Sequence, residues 1–142
     1  MPELLNNLES AVLEMLLRGD QPVLEALRVQ LQKSTVASRQ NTGAGFFADF
    51  LIPDDAPRAP GKENFVLGDV SAEIDDLEHG AGFLLFIRNG KLDFLEGYSF
   101  DEPWPAEVGK FKLQYLVVGT IKTQYVTRNE RDFSALSREW ST

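Results

Sequence analysis

An apolar run, a tight turn and a second apolar run follow one another in AGFLLFIRNGKLDFLEGYSF, residues 81–100. Asn89-Gly90 between two such runs is the strongest local signal for a β-hairpin, because both central residues of a type I′ turn need positive φ. The sequence therefore predicts two antiparallel strands, 81–88 and 91–100, joined by a two-residue turn.

This turn fixes which residues lie opposite one another in the hairpin. The predicted pairs include Ile87 with Leu92, Phe83 with Glu96, and Gly82 with Gly97. Glu96 then stands as the one carboxylate in an apolar and aromatic row, and a buried carboxylate must be ion-paired, hydrogen-bonded or protonated. Either a β-bulge or strand end turns Glu96 toward solvent, or Glu96 is a ligand-facing or catalytic carboxylate.

The facing glycines predicted on the other side of the hairpin leave a gap where side chains normally stand. Asp69, Glu73 and Asp93 are expected to surround this apolar side of the hairpin. Either a helix packs into the gap, or the apolar side binds a protein partner or a second copy of the chain. Trp104, which Pro105 holds extended, either plugs the end of the core or anchors a partner. The residues predicted to bind a ligand or partner are Gly82, Leu84, Phe86, Leu95, Gly97 and Trp104.

The whole chain, residues 1–142, is predicted to form one α+β domain, because its length is close to that of a single domain. Apolar residues at helical spacing in residues 1–33 predict an N-terminal αα-hairpin that packs on the sheet. Its second helix is expected to begin after Asp20 as N-cap. Residues 128–142 predict a short C-terminal helix capped by Asn129.

Residues 34–127, between these helices, are predicted to form an antiparallel sheet of about five to six strands. Residues 65–74 alternate between apolar and polar side chains and predict a single strand before the hairpin. A last extended segment is expected at residues 121–126.

Composition and charge exclude several classes of partner and of functional site. Fourteen Lys and Arg residues against 22 Asp and Glu give a net charge of −8, which repels nucleic acids and anionic membranes. The chain has no cysteine, which removes disulfides, thiolate nucleophiles and Cys-type zinc sites and agrees with a reducing compartment. The acidic N-terminus and the short apolar runs predict no signal peptide and no membrane span. We therefore expect a cytoplasmic protein without a cofactor or a metal.

Three side chains are candidates for catalysis if the protein is an enzyme: Glu96, His79 and Tyr98. Glu96 would act as general acid or base in a pocket, assisted by His79 or Tyr98, on a small neutral or cationic substrate. His79 also fits a turn in which a neighbouring carboxylate is its partner, because it lies within the acidic segment DDLEHG at residues 75–80. The sequence contains no nucleophile elbow, Walker A or metalloprotease motif beside them.

Several short motifs occur in order within residues 35–117: TGAGFF at 42–47, HGAGFLLF at 79–86, LEGY at 95–98 and EPWP at 102–105. This series resembles a group of small bacterial proteins of uncharacterised function. The resemblance implies a bacterial origin, and it implies no activity, cofactor or catalytic residue.

The sequence favours a non-enzymatic, acidic protein-interaction module. The partner is either another protein, as for an immunity protein that inhibits a basic toxin or enzyme, or a second copy in a homodimer. Two alternatives stay open: a carrier in which Glu96 fixes the polar end of an apolar small molecule, and the hydrolase-type enzyme that uses Glu96 in a pocket.

Overall fold

The computed structural model describes residues 5–118 and 125–141, and it has the predicted α+β architecture. Two helices, α1 (Asn7–Leu16) and α2 (Pro22–Lys33), pack on one face of an antiparallel sheet with eight strands instead of five to six. The strands are β1 (Thr35–Asn41), β2 (Gly45–Leu51), β3 (Phe65–Leu67), β4 (Val70–Ile74), β5 (Ala81–Arg88), β6 (Lys91–Ser99), β7 (Phe111–Val118) and β8 (Tyr125–Arg128). The short helix α3 (Phe133–Leu136) and a 3₁₀ helix (Ser137–Glu139) end the described chain.

The strand order is β1-β2-β6-β5-β4-β7-β8, with β3 paired beside β4 on the same edge of β5. The single strand predicted over residues 65–74 is wrong, because the chain breaks at Gly68-Asp69 between β3 and β4. The Asp69 carbonyl instead accepts a hydrogen bond of 2.8 Å from the Leu116 amide of β7. Of the extended segment predicted at 121–126, residues 121–124 lie outside the described residues, and Tyr125 and Val126 belong to β8.

Each N-terminal helix begins at a residue that explains its start. Asn6 caps α1 in a capping box: its Oδ1 accepts from the Glu9 amide at 2.8 Å, and Glu9 Oε1 accepts from the Asn6 amide at 3.0 Å. The predicted cap of α2 is wrong by one residue, since Gln21 is the N-cap and Pro22 occupies the first turn. Proline is favoured there because an amide proton in the first turn has no hydrogen-bond partner within the helix, so its absence in proline costs nothing.

Two arginines hold the C-terminal end of α1. Arg28 Nη1 donates to the carbonyls of Leu17 at 2.6 Å and Gly19 at 2.7 Å, and Arg131 Nη1 donates to that of Arg18 at 2.8 Å. Cations at this end also complement the negative end of the helix dipole. The C-terminal segment of the chain is thereby tied to the helical layer.

The hairpin turn is confirmed, and its register changes after two pairs. Asn89 and Gly90 have φ of 55° and 72°, and Ile87 lies opposite Leu92 as predicted. Asp93 is then an extra residue on β6, which forms a β-bulge and shifts every later pair by one residue. Glu96 therefore lies opposite Leu84, and the predicted pairing of Glu96 with Phe83 is wrong.

The same bulge removes the predicted pair of facing glycines. Gly82 lies opposite Tyr98, and Gly97 lies opposite Phe83. A Cβ added at Gly82 would overlap the Tyr98 ring, and one added at Gly97 would overlap the ring of Phe46. An aromatic ring therefore covers each glycine, and the glycines leave no gap for a helix.

The core lies between the two helices and the inner face of the sheet. Fully buried side chains of the sheet include those of Phe83, Leu85 and Leu95, and α1 and α2 bury Leu13, Leu16, Leu24 and Leu27 against them. The Tyr115 hydroxyl donates to the Met15 carbonyl at 2.7 Å, which ties β7 to α1. The inner face of the sheet is thus covered by the helical layer.

The C-terminal segment packs at the gap between β3 and β4. The predicted cap Asn129 is wrong, because Asp132 is the N-cap of α3 and its carboxylate accepts from the Ala135 amide at 3.1 Å. Helix α3 makes a single turn before the 3₁₀ helix. Trp140 is buried with its ring edge-on to Phe65, at a centroid distance of 6.2 Å.

Candidate functional site

The outer face is the side of the sheet opposite α1 and α2, and it carries most of the partly exposed aromatic side chains. Alternation along β2, β5 and β6 turns buried residues inward and partly exposed ones outward. The outward-facing residues of the three central strands include Phe47, Leu84, Phe86, Phe94, Glu96 and Tyr98.

Three phenylalanines form a cluster on this face. The rings of Phe86 and Phe94 are stacked at a centroid distance of 4.3 Å, and Phe47 meets Phe94 edge-on at 5.6 Å. Tyr98 meets Phe100 edge-on at 5.7 Å, and Phe100 is 51% exposed. A contiguous apolar patch on the surface of a small domain is typical of an interaction site.

The C-terminal segment forms a wall beside this face. Its residues Asp132, Ala135, Leu136, Arg138 and Glu139 and the sheet residues Val66, Leu84, Tyr98 and Leu116 line a groove of about 610 Å³. The groove continues the aromatic cluster toward the gap at Gly68-Asp69.

Arg131 holds the wall in place. Its guanidinium forms two hydrogen bonds with the Asp69 carboxylate, at 2.8 and 2.9 Å, and lies over the rings of Tyr115 and Phe133 at 5.4 and 5.9 Å. Its side chain is 1% exposed. A bidentate, desolvated arginine fixes both position and orientation, so this contact sets where the groove wall stands.

The outer face is acidic as well as aromatic. Burial raises the pKa of the Tyr98 hydroxyl, and the neighbouring Glu96 carboxylate raises it further. Tyr98 therefore stays protonated at neutral pH. In residues 5–118 and 125–141, no lysine or arginine forms an ion pair with Glu96.

The predicted binding residues divide between the two sides of the sheet. Leu84 and Phe86 lie on the outer face, as does Gly82, which Tyr98 covers. Leu95 is buried in the core on the inner side, and Gly97 lies against Phe46. The bulge at Asp93 explains this division, because a one-residue shift moves every later residue of a strand to the other face.

Trp104 lies at the end of the core. Its ring meets Phe46 edge-on at 5.4 Å, and its amide donates to the Gly43 carbonyl at 2.7 Å. It is partly buried against the core, which matches a plug at the end of the sheet.

His79 lies in the exposed turn between β4 and β5. The Glu102 carboxylate accepts hydrogen bonds from the backbone amides of His79 and Glu78, at 3.0 and 2.7 Å. These bonds hold the pKa of Glu102 below its usual value, the amide of His79 more strongly than that of Glu78. The structure thus places His79 beside Glu102, while Glu96 interacts with Tyr98.

A second cleft of about 520 Å³ lies between the start of α1 and residues 104–109. Glu9 and Arg39 line this cleft and form a bidentate ion pair. Glu9 is 1% exposed; its Oε2 lies 3.0 Å from Nε of Arg39, and its Oε1 lies 2.5 Å from Nη2 of Arg39. Sequence reasoning missed this pair. The spacing of Asn6 and Glu9 is a capping-box signal that predicts the position of Glu9, and it does not predict Arg39 as the partner.

Taken together, the fold and the outer face define a small α+β domain with an open aromatic sheet surface. Comparison of the chain with protein-family models, with curated proteins and with solved structures found no match. Within the part of the chain that the structure describes, no helix is long and apolar enough to cross a membrane.

Proposed function

We propose that this protein is a non-enzymatic interaction module and that the outer face is its docking surface. The observation that carries the proposal is the stacked pair of Phe86 and Phe94, which remains partly exposed on the side opposite the helices. Aromatic side chains are enriched in protein interfaces because they bury a large area at a small cost in side-chain entropy.

The two alternatives have less support. General acid–base catalysis needs a carboxylate within reach of a bound substrate, and a carrier needs a polar group inside its cavity. Of the three candidate side chains, Tyr98 lines the groove beside the outer face, while Glu96 and His79 line neither of the two clefts described above. An open sheet surface suits a macromolecular partner better than a small molecule.

A cytoplasmic location and a relationship to the small bacterial proteins belong to the same proposal. The absence of cysteine supports the location. The ordered motifs at residues 42–47, 79–86, 95–98 and 102–105 support the relationship. Both remain predictions.

A random-peptide display selection on the immobilised protein tests the docking surface. We expect selected peptides to lose at least about tenfold in affinity for Phe94→Ser, because an aromatic anchor at the centre of an interface contributes strongly to binding. Affinity is measured by titration calorimetry, and thermal unfolding checks that the variant is folded.

Val29→Ser is the matched control, since Val29 is a partly exposed residue of α2 on the other side of the molecule. It should leave peptide affinity unchanged. Peptides that bind Phe94→Ser as tightly as the unmodified protein, or a selection that yields no binding peptide, would contradict the proposed function.

A further inference from the structure

We infer that the partner of the outer face is a different protein, which presents arginines and apolar side chains in turn along one face of an extended segment. This inference rests on the proposed function. It adds the chemistry of the partner and excludes a second copy of this chain as the occupant.

Acidic and aromatic residues alternate on the outer face both along the strands β2 and β6 and across from one strand to the other. In the pairing of β2 with β6, Phe47 lies opposite Glu96 and Asp49 lies opposite Phe94. Asp49 is exposed and Glu96 is partly exposed. The two carboxylates therefore occupy diagonal corners of a square whose other two corners are phenylalanine rings.

Arginine fits this square because each part of its side chain has a partner there. A guanidinium stacks on an aromatic face and at the same time forms hydrogen bonds with a carboxylate. The described structure gives Glu96 no basic partner, and it gives Asp49 one hydrogen bond of 2.6 Å from the Ser38 hydroxyl. The carboxylates are thus available to a cation from outside the chain.

The spacing of the square fits an extended segment. Successive outward residues of a strand are about 6.6–6.8 Å apart, as are alternate side chains of an extended partner. Only every second side chain of an extended partner points toward the sheet. A partner with arginine at every fourth position and an apolar residue midway between the arginines can therefore reach carboxylates while its apolar residues contact Phe86, Phe94 and Leu84.

A second copy of this chain is a poor occupant of the same face. Each copy carries a net charge of −8, and face-to-face packing would bring Glu96 and Asp49 of both copies into one apolar interface. Like charges that meet across an interface oppose association.

Two synthetic nine-residue peptides test the inference. Both have Ser at the even positions; at the odd positions one has Arg and Leu in turn, and the other has Glu and Leu in turn. We expect only the Arg-Leu peptide to bind in titration calorimetry. Glu96→Gln should weaken its binding about tenfold, because a desolvated carboxylate at the interface is lost.

Glu25→Gln is the matched control, because it removes the same charge from an exposed position on α2. A distant exposed charge is largely screened by salt, so this variant should change the affinity by less than about twofold. Equal weakening by both variants, or equal binding of the Glu-Leu peptide, would overturn the inference.

Sedimentation velocity over a wide concentration range distinguishes failure of the inferred partner from failure of the proposed docking surface. A monomer at all concentrations is expected. A dimer that Phe94→Ser dissociates would overturn the inferred partner and leave the outer face as a docking surface. If the Arg-Leu peptide fails while displayed peptides still depend on Phe94, the inferred partner alone is overturned. If nothing depends on Phe94, the proposed function fails as well.

Discussion

Replacing Arg131 with methionine is expected to lower the free energy of unfolding by about 3–5 kcal/mol, because it leaves a partly buried carboxylate without its partner. Arg131 makes two hydrogen bonds to Asp69 and a third to the Arg18 carbonyl at the end of α1. Methionine fills similar space and makes none of them. Denaturant unfolding followed by circular dichroism measures the loss, and the variant unfolds completely if the total stability is near the lower end for small domains.

Arg88→Met is the control for this change. Arg88 pairs with Asp93 at 3.4 Å, and its side chain is 69% exposed, so the loss should be at most about 1 kcal/mol. The variant Asp69→Asn should behave like Arg131→Met, because it removes the other member of the same pair. An Arg131→Met protein as stable as Arg88→Met would contradict the role given to this residue.

Replacing Gln30 with methionine is expected to cost about 3 kcal/mol of unfolding free energy, because three hydrogen bonds are lost and a buried backbone amide is left without a partner. Gln30 is fully buried in α2. Its Nε2 donates to the carbonyls of Pro57 at 2.7 Å and Gly90 at 2.8 Å, and its Oε1 accepts from the Leu92 amide at 2.9 Å. The Gly90 carbonyl keeps a bond from the Ala59 amide, and Pro57 is an exposed residue whose carbonyl can bind water. The group left without a partner inside the core is therefore the Leu92 amide.

Gln32→Met provides the comparison two residues along the same helix, where the side chain is exposed. It should change the unfolding free energy by no more than about 0.5 kcal/mol. Amide hydrogen exchange gives a second readout, since the Leu92 amide should exchange faster in Gln30→Met. Equal stabilities of the two variants, with unchanged protection of Leu92, would show that Gln30 does not hold the hairpin.

The sequence predicted the hairpin at its turn and not along its length. Asn89-Gly90 dictates a local geometry, so the first two pairs are confirmed. The bulge at Asp93 has no such local signal, because Leu92, Phe94 and Leu95 are apolar on both sides of it and suit either register. The expected environment of Glu96 depended on that register and changed with it.

The helical layer was predictable because apolar spacing and proline position act over a few residues. The contacts that hold the layers together were not. Arg131 and Asp69 are 62 residues apart in sequence, as are Gln30 and Leu92. No periodicity connects residues at such separations, and each alone fits a solvated position equally well.

The residues that form the candidate site were therefore predicted only in part. The central strand carries apolar side chains on both faces of the sheet, and the two helices cover only one face. The sequence therefore predicts an uncovered apolar face, and Leu84 and Phe86 were assigned to it. Glu96, Phe94 and Tyr98 were predicted on the opposite side, since their placement depends on the bulge. Phe47 and Asp49 join them only through the pairing of β2 with β6, which local sequence does not specify.

Both proposals depend on access of solvent to the aromatic rings of the outer face. Proton NMR with a soluble paramagnetic relaxation agent measures this access directly, ring by ring. The ring signals of Phe86 and Phe94 should broaden with the agent, as should those of exposed Phe100, while those of fully buried Phe83 persist. Protection of Phe86 and Phe94 equal to that of Phe83 would mean that another part of the chain covers this surface, and would contradict its role in docking.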